Sequence, residues 1–349
     1  MELEKKCLRW SLWLVGVALV LRLCSSDVFA AFLQKPEVLS LIFFTQTGRY
    51  VNLETADTQP PPVTTTPQQE QEKAEEPEKE EEPEFTEEET EEANPDYTVF
   101  NKDDAVLVEV NSYCGYDVDV FSLLQKPLTW ELTGKDPTVL IVHSHGSESY
   151  KNTEKYKESS AYRTLDKKYN MVSVGTALAK RLEEMGIGVV HDTTLHDYPS
   201  YNQSYTQSRK AVKAYLEKYP TIRLVLDLHR DAVTKSDGTQ AGYTVKVDGK
   251  KAAKVMLVVG TDASGRNHPN WQENMAMAVK LHAQLEKEAA GICRPISFRR
   301  QRFNQDLSKG AVIVEVGAAG NTRQEALNAI EVLAKSIGAL AHGTAGELS

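Results

Sequence analysis

The sequence predicts an α/β fold in which a mostly parallel β-sheet carries helices on both of its faces. Short apolar runs rich in β-branched residues alternate along the chain with longer segments whose apolar residues have helical spacing. Continuous apolar runs are typical of strands buried on both faces, and helices between such strands favour parallel pairing. Gly186 and Pro220 end two of the helical segments and so separate them from the strands that follow.

Each element follows from its own apolar pattern, as in the helical spacing of Val174, Leu178 and Leu182. The predicted strands are 105–110, 138–142, 188–190, 222–228, 296–298 and 311–316. The predicted helices are 171–185, 205–219, 271–289 and 323–340. A hairpin is predicted for 243–247 and 254–259, joined around Asp248 and Gly249.

Two segments of different composition precede the folded domain, which is predicted to be residues 101–349. Residues 1–50 are predicted to anchor the chain in the membrane, because basic residues precede an apolar stretch from Trp10 to Leu21 and so place the following domain outside the cytoplasm. A cleaved signal peptide is the alternative, since twelve residues span only about 18 Å as a helix. Residues 51–100, rich in Pro, Thr, Glu and Gln, are predicted to be a disordered linker.

The negative charge of the chain is concentrated in that linker. Residues 70–92 carry 14 acidic residues and two lysines, a net charge of −12, whereas the whole chain carries −10. The rest of the chain is therefore close to neutral, and the absence of a basic excess argues against a nucleic-acid partner. The one basic cluster, 299–302, is interpreted as a solvated face, with contact to acidic polymers as the alternative.

Several common types of site are excluded by the motifs. Neither GxGxxG nor GxxxxGK[ST] occurs, so no phosphate-binding loop is expected, and the absence of CxxC excludes a zinc ribbon. Of the four cysteines only Cys114 and Cys293 can belong to the domain, and two unpaired thiols are favoured over a bridge.

Polar residues follow or interrupt three of the strongest predicted strands, and active sites of open α/β sheets form at the carboxyl ends of strands. His145 follows the strand 138–142, His229 follows 222–228, and Glu315 interrupts 311–316. An ionised carboxylate inside an apolar strand needs a partner or a function. The three strand ends therefore predict one active site.

Two imidazoles suit Zn²⁺, which is usually catalytic when three protein ligands leave one position open. His145 and His229 are the predicted ligands, and Glu315 is then the general base. The third ligand is open by residue type among Asp166, Glu148 and His143. His143 is expected to share a face with His145, because residues two apart on an extended chain point the same way.

Five segments together resemble the stage II sporulation protein P family. They are 139–150 (VLIVHSHGSESY), 196–202 (HDYPSYN), 226–232 (LDLHRDA), 268–271 (HPNW) and 311–322 (AVIVEVGAAGNT). The resemblance implies a membrane-bound peptidoglycan hydrolase of endospore-forming bacteria, exported into the space between mother cell and forespore. It also implies action during engulfment with two companions, the sporulation proteins D, a lytic transglycosylase, and M, a membrane protein.

Members of that family are similar to zinc-dependent N-acetylmuramoyl-L-alanine amidases, and are described as cutting peptide cross-links too. The resemblance places the two zinc-binding histidines on His145 and His229 and the catalytic glutamate on Glu315. The remaining ligand, a glutamate that opens a helix in the amidases, falls near Asp166. Asp166 is therefore favoured, and Glu148 is the alternative.

Two further interpretations complete the predicted site. Arg230 is expected to hold oxyanion charge or a substrate carboxylate, and an ion pair with Asp227 or Asp231 is equally compatible. The tyrosine-rich segment 196–205 is interpreted either as a surface for sugar rings or as a rigid turn. The alternative function is a non-enzymatic, membrane-tethered scaffold that binds the cell wall, which would require neither histidine nor Glu315.

Overall fold

The computed structural model describes residues 97–151 and 162–345. The predicted anchor region and the predicted linker up to residue 96 lie outside the described residues. Within the two described stretches, no helix is long and apolar enough to cross a bilayer. The strand Thr98–Val99 is paired with Thr344–Ala345, so the described fold includes residues that precede the predicted boundary at residue 101.

The described part of the chain contains five α-helices, eleven strands and three short 3₁₀-helices. The helices are α1 (Val120–Gln125), α2 (Met171–Glu184), α3 (Ser204–Lys218), α4 (Trp271–Glu288) and α5 (Arg323–Ala339). The strands are β1 (Thr98–Val99), β2 (Val110–Ser112), β3 (Val139–Val142), β4 (Val189–His191), β5 (Leu224–Asp231), β6 (Thr244–Val247), β7 (Lys250–Ala253), β8 (Val255–Gly260), β9 (Ile296–Arg299), β10 (Ala311–Ala318) and β11 (Thr344–Ala345). The 3₁₀-helices are Asp103–Leu107, Tyr201–Gln203 and Gln305–Leu307.

Seven of these strands form a central sheet in the order β2-β9-β8-β10-β5-β3-β4. Neighbouring strands run parallel at every position of this sheet except one, because β8 and β10 are antiparallel. The predicted mostly parallel sheet is therefore confirmed. Three adjacent parallel strands, β10, β5 and β3, have their carboxyl ends at the same edge of the sheet.

Both faces of the central sheet are covered by helices, as the apolar runs predicted. Alternate residues of β3 enter different cores: Ile141 belongs to the large cluster that includes Leu178 of α2. Leu140, one position earlier, belongs to a second cluster that includes Val212 of α3. Successive side chains of a strand point to opposite faces, so the continuous apolar run of β3 supplies both cores.

Capping side chains set where two helices on the larger core begin. The side chain of Asn170 accepts a hydrogen bond from the backbone N–H of Val172 at the start of α2. Thr322 and Glu325 form a reciprocal capping box at the start of α5. Such caps satisfy backbone donors that the first helical turn leaves unpaired.

The predicted hairpin is confirmed for its first strand, whereas the prediction of its second strand is wrong. Asp248 and Gly249 both have positive φ, which is typical of a two-residue hairpin turn, and this turn pairs Val247 directly with Lys250. The partner of β6 is therefore β7. The apolar run that follows is instead β8, which is buried throughout and lies inside the central sheet.

The predicted strand 105–110 is also wrong, because a 3₁₀-helix occupies Asp103–Leu107. The side chain of Asn101 accepts hydrogen bonds from the backbone N–H groups of Asp103 and Asp104, which turns the chain at this point. Val106 is 83 % exposed, so its apolar character does not reflect burial in a sheet.

The structure also describes the two cysteines of the domain and the basic cluster singled out in the sequence. Cys114 and Cys293 are both free thiols, in agreement with the favoured prediction. Within the basic cluster, the guanidinium group of Arg299 stacks on the ring of Tyr113, and Arg302 lies 3.3 Å from Asp306.

Candidate active site

Glu315 and His229 lie side by side where β10 and β5 reach the carboxyl edge of the sheet. The two residues are register partners on these parallel strands. The side chain of Glu315 is partly buried, and its Oε2, which is out of contact with solvent, has no hydrogen-bond partner among the described residues. Burial raises the pKa of Glu315 above its usual range, and the nearby Glu148 carboxylate raises it further. In the protein alone, Glu315 therefore tends to keep its proton.

His229 is held between two carboxylates. Its Nε2 lies 2.9 Å from Oδ1 of Asp227, and its Nδ1 lies 3.5 Å from Oε2 of Glu148. Burial would lower the pKa of His229, but the charges of Asp227 and Glu148 outweigh it and raise that pKa well above its usual value. Both ring nitrogens therefore face carboxylate oxygens.

Glu148 lies just after the turn that follows β3 and reaches towards β5. Its Oε2 accepts a hydrogen bond from the backbone N–H of Arg230 at 3.2 Å, and its Oε1 lies 3.6 Å from the guanidinium group of the same residue. Burial alone would raise the pKa of Glu148, but Arg230 and His229 lower it below its usual range. Glu148 is thus an ionised carboxylate beside an imidazole, which is the form that binds a metal ion.

Arg230 contacts Glu148 and nearby backbone carbonyls, and it forms no ion pair with Asp227 or Asp231. Its guanidinium group donates hydrogen bonds to the backbone carbonyls of Ser149 and Tyr162, each at 2.9 Å. Asp231 instead pairs with Arg294 at 2.8 Å. The structure thus gives Arg230 a role in fixing Glu148 and the chain around it.

His145 lies in the turn after β3 and is enclosed by aromatic rings. The ring of Tyr201 stacks on it with 4.3 Å between centroids and 15° between planes, and Tyr205 meets it edge-on at 5.5 Å. The ring of His229 is 5.3 Å away, also edge-on. Burial lowers the pKa of His145 to about 4, and its Nδ1 has no hydrogen-bond partner among the described residues. A neutral imidazole with a free nitrogen is the form that binds zinc.

The other two candidates for the third ligand lie elsewhere. Asp166 is exposed and accepts a hydrogen bond from the backbone N–H of Lys168 in a local turn. His143 is buried away from His145, with its Nε2 2.8 Å from Nε2 of His191. The expectation that His143 and His145 share a face is wrong, because β3 ends at Val142 and the chain turns immediately afterwards.

The side chains that converge are thus His145, Glu148 and His229, with Glu315 beside them. Two imidazoles and one carboxylate are a donor set found in catalytic zinc sites. In the described residues, no group of three or more His, Cys, Asp or Glu has the spacing of a formed metal site. The residues fit zinc by type, by the ionised state of Glu148 and by the free Nδ1 of His145. These side chains would have to rearrange to bring all three donors to one ion.

Sequence reasoning missed what Asp227 and Tyr201 do at this site. The sequence suggested Asp227 only as a possible ion-pair partner of Arg230, although its spacing of two from His229 already places both on one face. Tyr201 belongs to the tyrosine-rich segment, whose contact with His145 depends on how α3 packs against the sheet. The sequence thus carries a local signal for the role of Asp227 but none for the contact made by Tyr201.

Residues 35–338 match the family model described as stage II sporulation protein P. A curated relative, the stage II sporulation protein P of Bacillus subtilis (strain 168), is 30 % identical over 212 residues, which are 58 % of this chain and 50 % of the relative. The chain therefore spans about half the length of the curated relative that it matches.

Solved structures of amidases resemble the chain more distantly. The N-acetylmuramoyl-L-alanine amidase AmiC2 of Nostoc punctiforme is 12 % identical with a TM-score of 0.35, over 58 % of this chain and 97 % of that one. The CwlD amidase of Clostridioides difficile, solved with the GerS lipoprotein, is 13 % identical with a TM-score of 0.37, over 58 % and 94 % of the two chains. Similarity at this level says nothing about activity.

Proposed function

The chain belongs to the stage II sporulation protein P family, as its motifs predicted, and we propose that it is a zinc-dependent peptidoglycan hydrolase that acts in sporulation. The observation that carries the proposal is the meeting of His145, Glu148 and His229 at one edge of the sheet, with Glu315 beside His229. A purely structural carboxylate in this position would be paired, whereas Oε2 of Glu315 has no hydrogen-bond partner among the described residues.

His145, Glu148 and His229 would hold the zinc ion, and Arg230 would keep Glu148 in place through its backbone N–H and guanidinium group. Zinc supplies Lewis-acid chemistry, which polarises an amide carbonyl and makes water acidic near neutral pH. The aromatic enclosure around His145 excludes water from one side of the site. Each protein ligand is thus supported by a second contact that limits its movement.

Glu315 is the proposed general base. Burial raises its pKa, and a cation beside it would lower that pKa again, so that its carboxylate can accept a proton near neutral pH. It would take the proton from the water that attacks the amide carbonyl and return it to the leaving amine. The proton therefore moves from water to Glu315 to product, and the side chain ends as it began.

The proposed substrate bond is the amide between the lactyl group of N-acetylmuramic acid and L-alanine, with peptide cross-links as a second target. This choice rests on the resemblance of the five motifs. The same resemblance supports the remaining proposals. They are a single-pass anchor in residues 1–50, a location outside the cytoplasm between mother cell and forespore, and the sporulation proteins D and M as partners.

The test is digestion of purified sacculi by the full chain in detergent, with released fragments identified by mass spectrometry. We expect free stem peptides and unsubstituted glycan, loss of this activity with a chelator, and recovery with added zinc. Asp166→Asn is the matched control, because Asp166 is exposed and lies outside the proposed zinc site, and it should digest like the unmodified protein.

Two results would contradict the proposal. Digestion that continues in the chelator would remove zinc from the mechanism. Binding to sacculi without any released fragment, in zinc-loaded protein, would favour the scaffold alternative.

A further inference from the structure

Asp227 contacts His229 from the same strand. The two residues are two apart on β5, so their side chains lie on one face of the sheet. Oδ1 of Asp227 lies 2.9 Å from Nε2 of His229, which is a hydrogen-bond distance. The side chain of Asp227 is 13 % exposed, so little water competes for this contact.

Asp227 is itself fixed by the chain that follows β3. Its Oδ1 accepts a hydrogen bond from the backbone N–H of Ser144 at 2.7 Å, and its Oδ2 accepts one from the hydroxyl group of the same residue. The Ser144 hydroxyl also lies 3.0 Å from that of Ser208 on α3, to which the side chain of Asn304 donates. The carboxylate is therefore held at both oxygens and cannot rotate without breaking these contacts.

This fixed carboxylate orients the ring of His229, because Nε2 must point at its Oδ1 to make the hydrogen bond. An ionised carboxylate only accepts hydrogen bonds, so Nε2 of His229 must be the donor. Nδ1 is then the nitrogen that faces Oε2 of Glu148, at 3.5 Å. Ser144 directly precedes His145, so one contact also ties the position of β5 to the turn that carries the other two proposed ligands.

We propose that Asp227 is a positioning residue, which holds the ring of His229 with Nε2 protonated and with Nδ1 directed at Glu148 as the atom available to a metal ion. The part that concerns metal rests on the proposed function, whereas the ring orientation does not. A carboxylate that orients a metal-binding histidine also makes the opposite ring nitrogen a stronger ligand for the metal. Loss of such a carboxylate typically weakens metal affinity by about 10- to 100-fold.

The experiment compares Asp227→Ala, Asp227→Asn and Asp231→Ala in the full chain. Asp231 is the matched control, since it is on the same strand but pairs with Arg294. Zinc affinity is measured by competition with a chelator, and the two ring nitrogens of His229 are observed by ¹⁵N NMR in metal-free protein, assigned through His229→Gln.

We expect Nε2 of His229 to be protonated in the unmodified protein and in Asp227→Asn, whose side-chain oxygen still accepts. In Asp227→Ala the Nε2 proton loses this acceptor, so the ¹⁵N signal of Nε2 should move away from its position in the unmodified protein, and zinc affinity should fall about 10- to 100-fold. Asp231→Ala should change neither. A role limited to stability would lower the unfolding temperature of Asp227→Ala and leave the nitrogens unchanged.

The outcomes separate this inference from the proposed function. Unmodified protein that binds zinc tightly, with Asp227→Ala binding equally tightly, would overturn the positioning role and leave the zinc site standing. An unprotonated Nε2 in the unmodified protein would overturn it even if Asp227→Ala does not fold. A protonated Nε2 in a protein that binds no zinc would support the ring orientation and refute the proposed function.

Discussion

Glu315 and His229 are direct neighbours across the parallel pair β10 and β5, so a partly buried carboxyl group and a buried imidazole share one face of the sheet. Glu148 completes the electrostatic arrangement from the turn after β3. It is ionised because Arg230 and His229 surround it, whereas Glu315 has an unpartnered oxygen and a raised pKa. The two glutamates thus have different environments, which suits one for metal binding and the other for proton transfer.

Replacing Glu315 by glutamine should abolish most of the activity without disturbing the fold. The amide has nearly the same shape but cannot accept and return a proton, so the rate of sacculus digestion should fall at least about 100-fold. Zinc content and unfolding temperature should stay close to those of the unmodified protein. Near-normal digestion by this variant would exclude Glu315 as the base.

Replacing Tyr201 by alanine should remove the ring that holds the imidazole of His145 in place and so weaken zinc binding. The stacked pair is worth about 0.5–1.5 kcal/mol by general experience with aromatic contacts, which corresponds to a loss of zinc affinity of about two- to tenfold. Tyr201→Phe keeps the ring and serves as the control, with affinity close to that of the unmodified protein. Equal affinities for the alanine and phenylalanine variants, measured by chelator competition, would show that the stack does not hold the ligand.

Gly175 on α2 is predicted to tolerate no side chain. A methyl group there would lie 2.6 Å from Nε2 of both His143, which is buried, and His191, which is partly buried, and these two nitrogens lie within hydrogen-bond distance of each other. Gly175→Ala should therefore lower the free energy of unfolding by about 1–3 kcal/mol, although the same change in an ordinary helix raises it.

Gly338→Ala on α5 is the control for that helix effect. A methyl group there meets only the thioether end of Met185, which is 41 % exposed and can move aside. We expect this variant to match or exceed the unmodified protein in chemical denaturation. A Gly175→Ala variant that does the same would show that the histidine pair has room to shift.

Lys280 should lower the free energy of unfolding by an amount that depends on pH. Its side chain on α4 is buried and donates a hydrogen bond to the backbone carbonyl of Leu123, and among the described residues it forms no ion pair with a carboxylate. Burial, with a smaller contribution from Lys126, lowers its pKa to about 7, whereas an unfolded lysine has a pKa of about 10.4. Between these values the unfolded chain binds more protons, so this residue destabilises the fold increasingly as the pH falls.

Lys280→Met should therefore raise the free energy of unfolding by about 1–2 kcal/mol at pH 7, with a gain that shrinks as the pH rises towards 10. Lys213→Met, at an exposed position of α3, is the control and should have little effect at any pH. A gain for Lys280→Met that is constant over this range would show that the lysine is not charged at a cost in the fold.

The sheet and its functional edge could be predicted because their signals are local. The runs that became β3, β5 and β10 are apolar over consecutive positions, and polar residues interrupt or follow them at the strand ends. Parallel strands place their carboxyl ends together, so three such ends were enough to predict that His145, His229 and Glu315 would meet.

The third ligand could not be predicted in the same way, since it depends on a contact across the sheet. The resemblance to the amidases placed their helix-opening glutamate near Asp166. In the structure, α2 is capped by Asn170, and Asp166 is exposed. Glu148 is brought to His229 by the turn after β3 and by Arg230, which no local pattern encodes. The hairpin error has a similar origin, because only Lys254 separates β7 from β8 in the sequence and the two strands differ in the partners with which they pair.

The most direct test of the account is the zinc affinity of Glu148→Gln compared with that of Asp166→Asn, measured by chelator competition on the full chain. If His145, Glu148 and His229 hold the ion, Glu148→Gln should bind zinc far more weakly than the unmodified protein, and Asp166→Asn should bind it equally well. Loss of zinc from Asp166→Asn with retention by Glu148→Gln would contradict the site that these side chains form.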